Sequence, residues 1–154
     1  MQDKKPVLAR RILMYTPLLL ILSYLLLPFL VGHDHDRIKT HITRANLVNV
    51  GDKLRMFKVN HGRFPDHLED LFRRPDYIPE GNWTGAYLEE RGESETAGWE
   101  IPPRDAWGHE LEYEVPGSAG RPFDLYSLGA DNKPGGKGFD ADIWFPEYSP
   151  TPCR

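Results

Sequence analysis

The chain has one cysteine, Cys153, a residue short of its end. A single thiol makes no internal disulfide, so a disulfide scaffold is excluded. Beyond residue 11 there is no basic run. Setting aside residues 1–11, with four basic side chains and one acidic, leaves 15 basic and 22 acidic ones, a net charge near −7. That balance excludes the basic stripe by which proteins hold phosphate backbones, so no nucleic-acid partner is expected. There is no internal repeat and no glycine-rich phosphate loop. No Ser/His/Asp set, and no carboxylate pair in a cleft context, is legible. Cys153 has no positioned base beside it. No enzymatic activity is expected. The last absence is charge itself: residues 12–31, ILMYTPLLLILSYLLLPFLV, carry none.

Twenty uncharged, mostly apolar positions suffice to cross a bilayer core as a helix. Lys4, Lys5, Arg10 and Arg11 precede the stretch and the acids lie almost wholly after it, which places the N-terminus in the cytoplasm. A cleavable signal would have a shorter apolar region and an A-x-A-like site, of which FLVGHDHD (29–36) is a poor version. The reading is an anchor. Residues 1–11 form a cytoplasmic basic segment, 12–31 a transmembrane helix, 32–60 an amphipathic extension, and 61–154 an exterior α/β domain.

From residue 34 to 59 there is no proline, and Ile38, Ile42, Ala45, Leu47, Val50, Leu54 and Phe57 recur at helical steps. This predicts an amphipathic helix whose apolar stripe covers something. Gly32 and Gly51 weaken its continuity by about 1 kcal/mol each. NHGRFP (60–65) ends it with turn chemistry. Leu68, Leu71 and Phe72 predict a short second helix before Pro75. Residues 75–104 read as loop, with Trp83, Tyr87 and Trp99 as anchors. LEYEV (111–115) and FDLYS (123–127) alternate around the turn PGSAGRP, a hairpin with one face toward the long helix. DIWF (142–145) supplies a third strand. The fold class expected is α+β, a long helix packed on a small antiparallel sheet.

Between the last two strands runs GADNKPGGKGFDAD (129–142), three aspartates and four glycines with almost nothing apolar. Asp140 and Asp142 are two apart and share a side in an extended segment. Asp131 lies across a Gly/Pro-rich loop able to fold back. Converging carboxylates repel unless a cation sits among them. Hard oxygen donors without nearby His or Cys favour Ca²⁺ over zinc or copper. The spacing is not that of an EF-hand. A solvated loop, with Lys133 and Lys137 neutralising the acids, is the alternative.

Of the remaining motifs, HDHD (33–36) sets His33 and His35 two apart, not on one helical face, and reads as membrane-proximal polarity rather than a metal site. Asp105, before Trp107–Gly108, reads as a tether for backbone amides rather than a catalytic acid. Trp107 and Tyr113 read as core.

The stretch DAWGHELEYEVPGSAGRPFDLYSLGADNKPGGKGFDADIW (105–144) resembles the C-terminal half of the major pseudopilins of bacterial type II secretion, the G-type subunits. The D-x-W-G-x-x-x-x-Y run, the DLYSLGAD passage and the GG-x-G-x-DADI ending carry the likeness. RMFKVNHGRFP (55–65) resembles the family's helix end. The resemblance implies a pilin-like fold and a Ca²⁺ site using Asp131, Asp140 and Asp142, with the carbonyls of Leu128 and Lys133 as further donors. It implies that the cation stands in for a core the loop lacks. It also implies a filament or apparatus subunit for protein export, held in the bacterial inner membrane with its C-terminal domain periplasmic. Its partners would be other pseudopilins or copies of itself, through the long helix, and inner-membrane secretion components.

One departure stands out. VLARRILMYTPLLLILSY (7–24) has neither the Gly-Phe junction at which the family is cut nor the acid that follows it. The signals for ordinary processing and for the standard filament register are therefore missing from this stretch. That opens an alternative, a permanently anchored binding or accessory module that does not polymerise. A calcium-dependent hydrolase lacks any nucleophile or acid–base pair to carry it.

Overall fold

The computed structural model describes residues 5–92 and 98–146, without the side chains of residues 5–19 and 25–34. The chain forms two compact units, Met1–Arg37 and Ile38–Arg154. Helix α1 runs Lys5–His61. In the first unit most side chains of the expected membrane stretch, residues 12–31, lie outside the described residues. Leu20, Ile21, Leu22 and Tyr24 within it are exposed, and the Ser23 hydroxyl donates back to the Leu20 carbonyl at 2.9 Å. Among the described residues no helix is long and apolar enough to cross a membrane.

The second unit holds the core. Thr43, Leu47, Val50, Leu54 and Phe57 recur at steps of three and four, share one face of α1, and are fully buried. The single apolar stripe expected from sequence is in fact two. At about 100° per residue, Ile38 and Ala45 fall on the side away from Leu54. Ile38, Ile42, Val48, Met56 and Val59 all remain exposed, as does Ala45. Gly51 has a packing reason to be glycine. A Cβ there would lie 2.3 Å from the Phe145 ring, which rests on the helix backbone. The helix ends where expected, with Gly62 at φ +75° and its amide on the Lys58 carbonyl.

Strands β1 (Glu112–Glu114), β2 (Asp124–Ser127) and β3 (Ile143–Trp144) form an antiparallel sheet in the order β1-β2-β3. Tyr113 sits opposite Leu125, and Tyr126 opposite Glu112 on one side and Trp144 on the other. The expected alternation holds. Leu111 and Leu125 are buried against α1's inner face while Glu112 and Glu114 are exposed. Phe123, leading into β2, is fully buried and packs on Phe64, Tyr113 and Phe145. On the other face Tyr126 stacks on Trp144, ring centroids 4.3 Å apart.

The predicted second helix is only a single 3-10 turn, Leu68–Leu71. It buries Leu68 and Leu71, and the Asp70 carboxylate gathers the Asp66 and His67 amides and the Tyr77 hydroxyl. With Pro75 so close, the segment has no length in which to build a helix. The described part of residues 75–104, expected as loop, is mostly turns, with a 3-10 turn at Glu80–Asn82 and a parallel bridge of Glu90 to Trp99; Trp83, Tyr87 and Trp99 are partly buried on the core.

Candidate functional site: the acidic loop and its anchor

The loop begins where β2 ends, and its first residue is held from both sides. Ser127 lies on the inner face of β2, in step with Phe123 and Leu125, and is fully buried. Its Oγ donates to Asp105 Oδ2 at 2.6 Å and accepts the Gly129 amide at 3.1 Å. Asp105 Oδ1 accepts the Trp107 and His109 amides, both at 2.9 Å. His109 Nδ1 lies 3.1 Å from the Gly129 carbonyl. A carbonyl can only accept, so Nδ1 carries the proton. The next amide along, that of Ala106, donates to Thr43 Oγ1 of α1 at 3.1 Å. A continuous polar chain therefore links the helix to the loop's entrance through an otherwise apolar interior. Among the described residues no buried side-chain nitrogen or oxygen lacks a partner, as a buried polar network requires.

Asp105, His109 and Ser127 thus come together, although no such set was legible in the sequence. The order is wrong for nucleophilic catalysis. A reactive serine hands its proton to a histidine that a carboxylate orients. Here the serine donates to the carboxylate itself, the histidine addresses a backbone carbonyl, and the hydroxyl is sealed from solvent. The amide-tether reading of Asp105 holds. Thr43, His109 and Ser127 went unnoticed. Two of them carried a signal: Thr43 interrupts an apolar helical face and Ser127 an apolar strand face, each calling for a buried partner.

Within the loop the glycines allow close self-packing. Gly129 is at φ +74° and Gly136 at φ +78°. A Cβ at Gly136 would lie 2.3 Å from the Asp140 carbonyl oxygen, and one at Gly129 would lie 2.8 Å from those of Phe139 and Ala141. The Ala130 amide donates to the Phe139 carbonyl at 2.9 Å, and the Asp142 amide to that of Gly135 at 3.1 Å.

The five residues expected at a cation site behave differently from one another. Asp131 Oδ1 accepts the Lys133 amide at 3.1 Å. Asp142 accepts the Gly135 amide with both oxygens, at 3.0 and 3.1 Å. Asp140 is exposed and closes the 3-10 turn Gly138–Asp140. Ala141, between Asp140 and Asp142, is extended at φ −72° and ψ 142°, so the extended segment argued for the two aspartates begins only after Asp140. Leu128 lies between the two clamped residues Ser127 and Gly129. Among the described residues no three His, Cys, Asp or Glu side chains are grouped to hold a metal ion. By donor type the loop still fits a hard cation, with carboxylates and closely drawn backbone carbonyls and no nitrogen or sulfur ligand.

Comparison with known proteins bears on this architecture directly. The family described as type II secretion system (T2SS), protein G, matches residues 31–145. The chain is 34% identical over 108 residues to type II secretion system core protein G of Xanthomonas campestris pv. campestris, covering 70% of this chain and 66% of that protein. It is 34% identical over 128 residues to the core protein G of Pseudomonas aeruginosa, covering 80% of this chain and 81% of that one. Among solved structures, the major pseudopilin from the type 2 secretion system of enterohaemorrhagic Escherichia coli is 21% identical, with a TM-score of 0.47, over 76% of this chain and 93% of that one. The family match takes in the core, the sheet and the whole acidic loop, and by it the chain belongs to the type II secretion system protein G family.

Proposed function

We propose that the chain is a structural pseudopilin subunit of a type II secretion apparatus and acts by packing rather than by catalysis. The observation that carries this is the family match across residues 31–145, which spans the packed domain. The outer face of α1 supports it. Ile38, Val48, Met56 and Val59 are large apolar side chains left in solvent, on the side opposite the core, where a neighbouring helix would remove them from water. Residues 12–31 anchor the chain in the inner membrane, with the domain from residue 61 in the periplasm. Its partners are copies of itself, other pseudopilins and inner-membrane secretion components.

The acid-free run 12–31 favours a second reading, an anchored accessory module that does not polymerise. A carboxylate buried in lipid is costly and kept for a purpose, so a run without one lacks that means of setting register against a neighbour. Chemical cross-linking in native membranes separates the two. A ladder of self-contacts is expected of the subunit. A single uncrosslinked band would move the assignment to the accessory module.

In the same reading the acidic loop holds Ca²⁺ through Asp131, Asp140 and Asp142 and the carbonyls of Leu128 and Lys133. The ion offsets two of the three carboxylate charges and fastens a segment that buries almost nothing of its own. With Ca²⁺ at 100 times Kd, binding stabilises the fold by about 2.7 kcal/mol. Chelator is expected to lower the melting temperature of the full-length chain, and Asp140→Ala to abolish that difference. Superimposable melting curves with and without Ca²⁺ would contradict the site.

A further inference from the structure

We propose that Asp105 and Ser127 are positioning residues which aim the Leu128 carbonyl and thereby set the cation affinity of the acidic loop; this rests on the calcium reading above. In a trans peptide the N–H and the preceding C=O point to opposite sides of one rigid plane. The Gly129 amide and the Leu128 carbonyl belong to the same plane. With that amide held by Ser127 Oγ at 3.1 Å, the Leu128 carbonyl is turned away from Ser127. The next carbonyl, that of Gly129, is held by His109 Nδ1, so the planes on both sides of the Gly129 Cα are fixed.

Ser127 can do this because its hydroxyl hydrogen is committed to a hydrogen bond with Asp105. A hydroxyl has one hydrogen and two lone pairs. Donation to Asp105 Oδ2 at 2.6 Å leaves the lone pairs for the Gly129 amide. The carboxylate is itself locked, its other oxygen bound by the Trp107 and His109 amides. Asp105, Ser127 and Gly129 are all buried, so water does not replace a lost partner. Groups that orient metal ligands from behind in this way typically change metal affinity about 10–100-fold when altered.

The test is Ca²⁺ titration of the full-length chain by calorimetry, with Tb³⁺ as a spectroscopic probe. Asp105→Asn places an amide where either Ser127 or the two backbone amides need an acceptor, and Ser127→Ala removes the hydroxyl. Both are expected to raise the Ca²⁺ Kd about 10–100-fold. Tb³⁺ bound to Ser127→Ala is expected to carry about one more water, read from emission lifetimes in H₂O and D₂O, where the carbonyl has swung away. Asp124→Asn weakens the ion pair that Asp124, at the far end of β2, makes with Arg121 and serves as the destabilised control. It should leave affinity and hydration unchanged. Wild-type values in both test variants, or an equal change in the control, would overturn the proposal and leave the calcium reading standing. A wild-type chain that binds neither ion would overturn both. If the variants do not fold, hydrogen exchange on the wild type decides: the clamp requires a slowly exchanging Gly129 amide, and a fast one overturns it.

Discussion

Phe123→Ala is expected to lower the unfolding free energy by about 3–5 kcal/mol, the range for deleting a fully buried phenylalanine side chain. The ring has no exposure and sits among three others, with centroids 5.1 Å from Phe64, 6.2 Å from Tyr113 and 5.7 Å from Phe145. Each neighbour comes from a different part of the chain: the turn after α1, β1 and the end of β3. A void at Phe123 therefore loosens several attachments together, and none of these rings can fill it without leaving its own site. Close packing extends to the backbone, since a Cβ on Gly117 would lie 2.5 Å from the Phe123 carbonyl carbon. Against a typical domain stability of about 5–15 kcal/mol, the loss is a large share of the whole. Urea unfolding checks it: the midpoint should fall steeply with the slope unchanged. Phe123→Leu, which keeps most of the volume, should cost under about 1.5 kcal/mol. If alanine costs no more than leucine, the ring is not the hub.

Much of the architecture is legible in the sequence because it rests on short-range periodicity. Period two in LEYEV and FDLYS places β1 and β2, and glycine and proline mark the turn between them. The helix end at residues 60–65 and the third strand at residues 143–144 follow from similar signals. Failures arise where position depends on something distant. Ile38, Ile42 and Ala45 are as apolar as the core positions, and only the placement of the sheet decides which side of α1 is inside. Gly51 reads as a helix weakness until Phe145, nearly a hundred residues later, is seen to occupy the space its missing Cβ leaves. The acidic loop is intermediate. Its donor types are plain in the sequence, but the 3-10 turn at Gly138–Asp140 puts off until after Asp140 the extended geometry from which convergence of Asp140 and Asp142 was argued. The anchor network was half legible. Asp105 stands in a recognisable turn, but its link to Ser127 bridges 22 residues and that of Ala106 to Thr43 bridges 63.

The buried ion pair between β1 and β2 should give stability a distinct dependence on pH. Asp124 accepts Arg121 Nε at 2.6 Å and a second guanidinium nitrogen at 3.1 Å, and its carboxylate also takes the Ser118 amide and hydroxyl. Burial by itself would raise this carboxyl, but the hydrogen bonds from Arg121 and Ser118 outweigh it and hold the group below its ordinary value. Folded Asp124 therefore binds a proton less readily than unfolded Asp124. The stabilisation is complete above the ordinary carboxylate value near 4 and is lost as pH falls through the lower folded value. Arg121→Met keeps most of the side-chain stem and removes both charged hydrogen bonds, together with the cation 5.1 Å from the Trp144 ring centroid. Only the two Ser118 hydrogen bonds then oppose burial at Asp124, whose side chain is 3% exposed. Removing one partner of a fully buried pair costs about 3–5 kcal/mol. Arg121 keeps 20% of its side-chain surface in water, so the expected loss at neutral pH is nearer 2 kcal/mol. Urea unfolding of wild type and variant at about pH 7 and at about pH 3 separates charge from packing. The gap between them should narrow at the lower pH, where the wild type gives up part of its pairing energy and the variant has none to lose. An equal gap at both values would assign the effect to the guanidinium over Trp144, which stays charged at both, and the ion pair would be incidental to the turn.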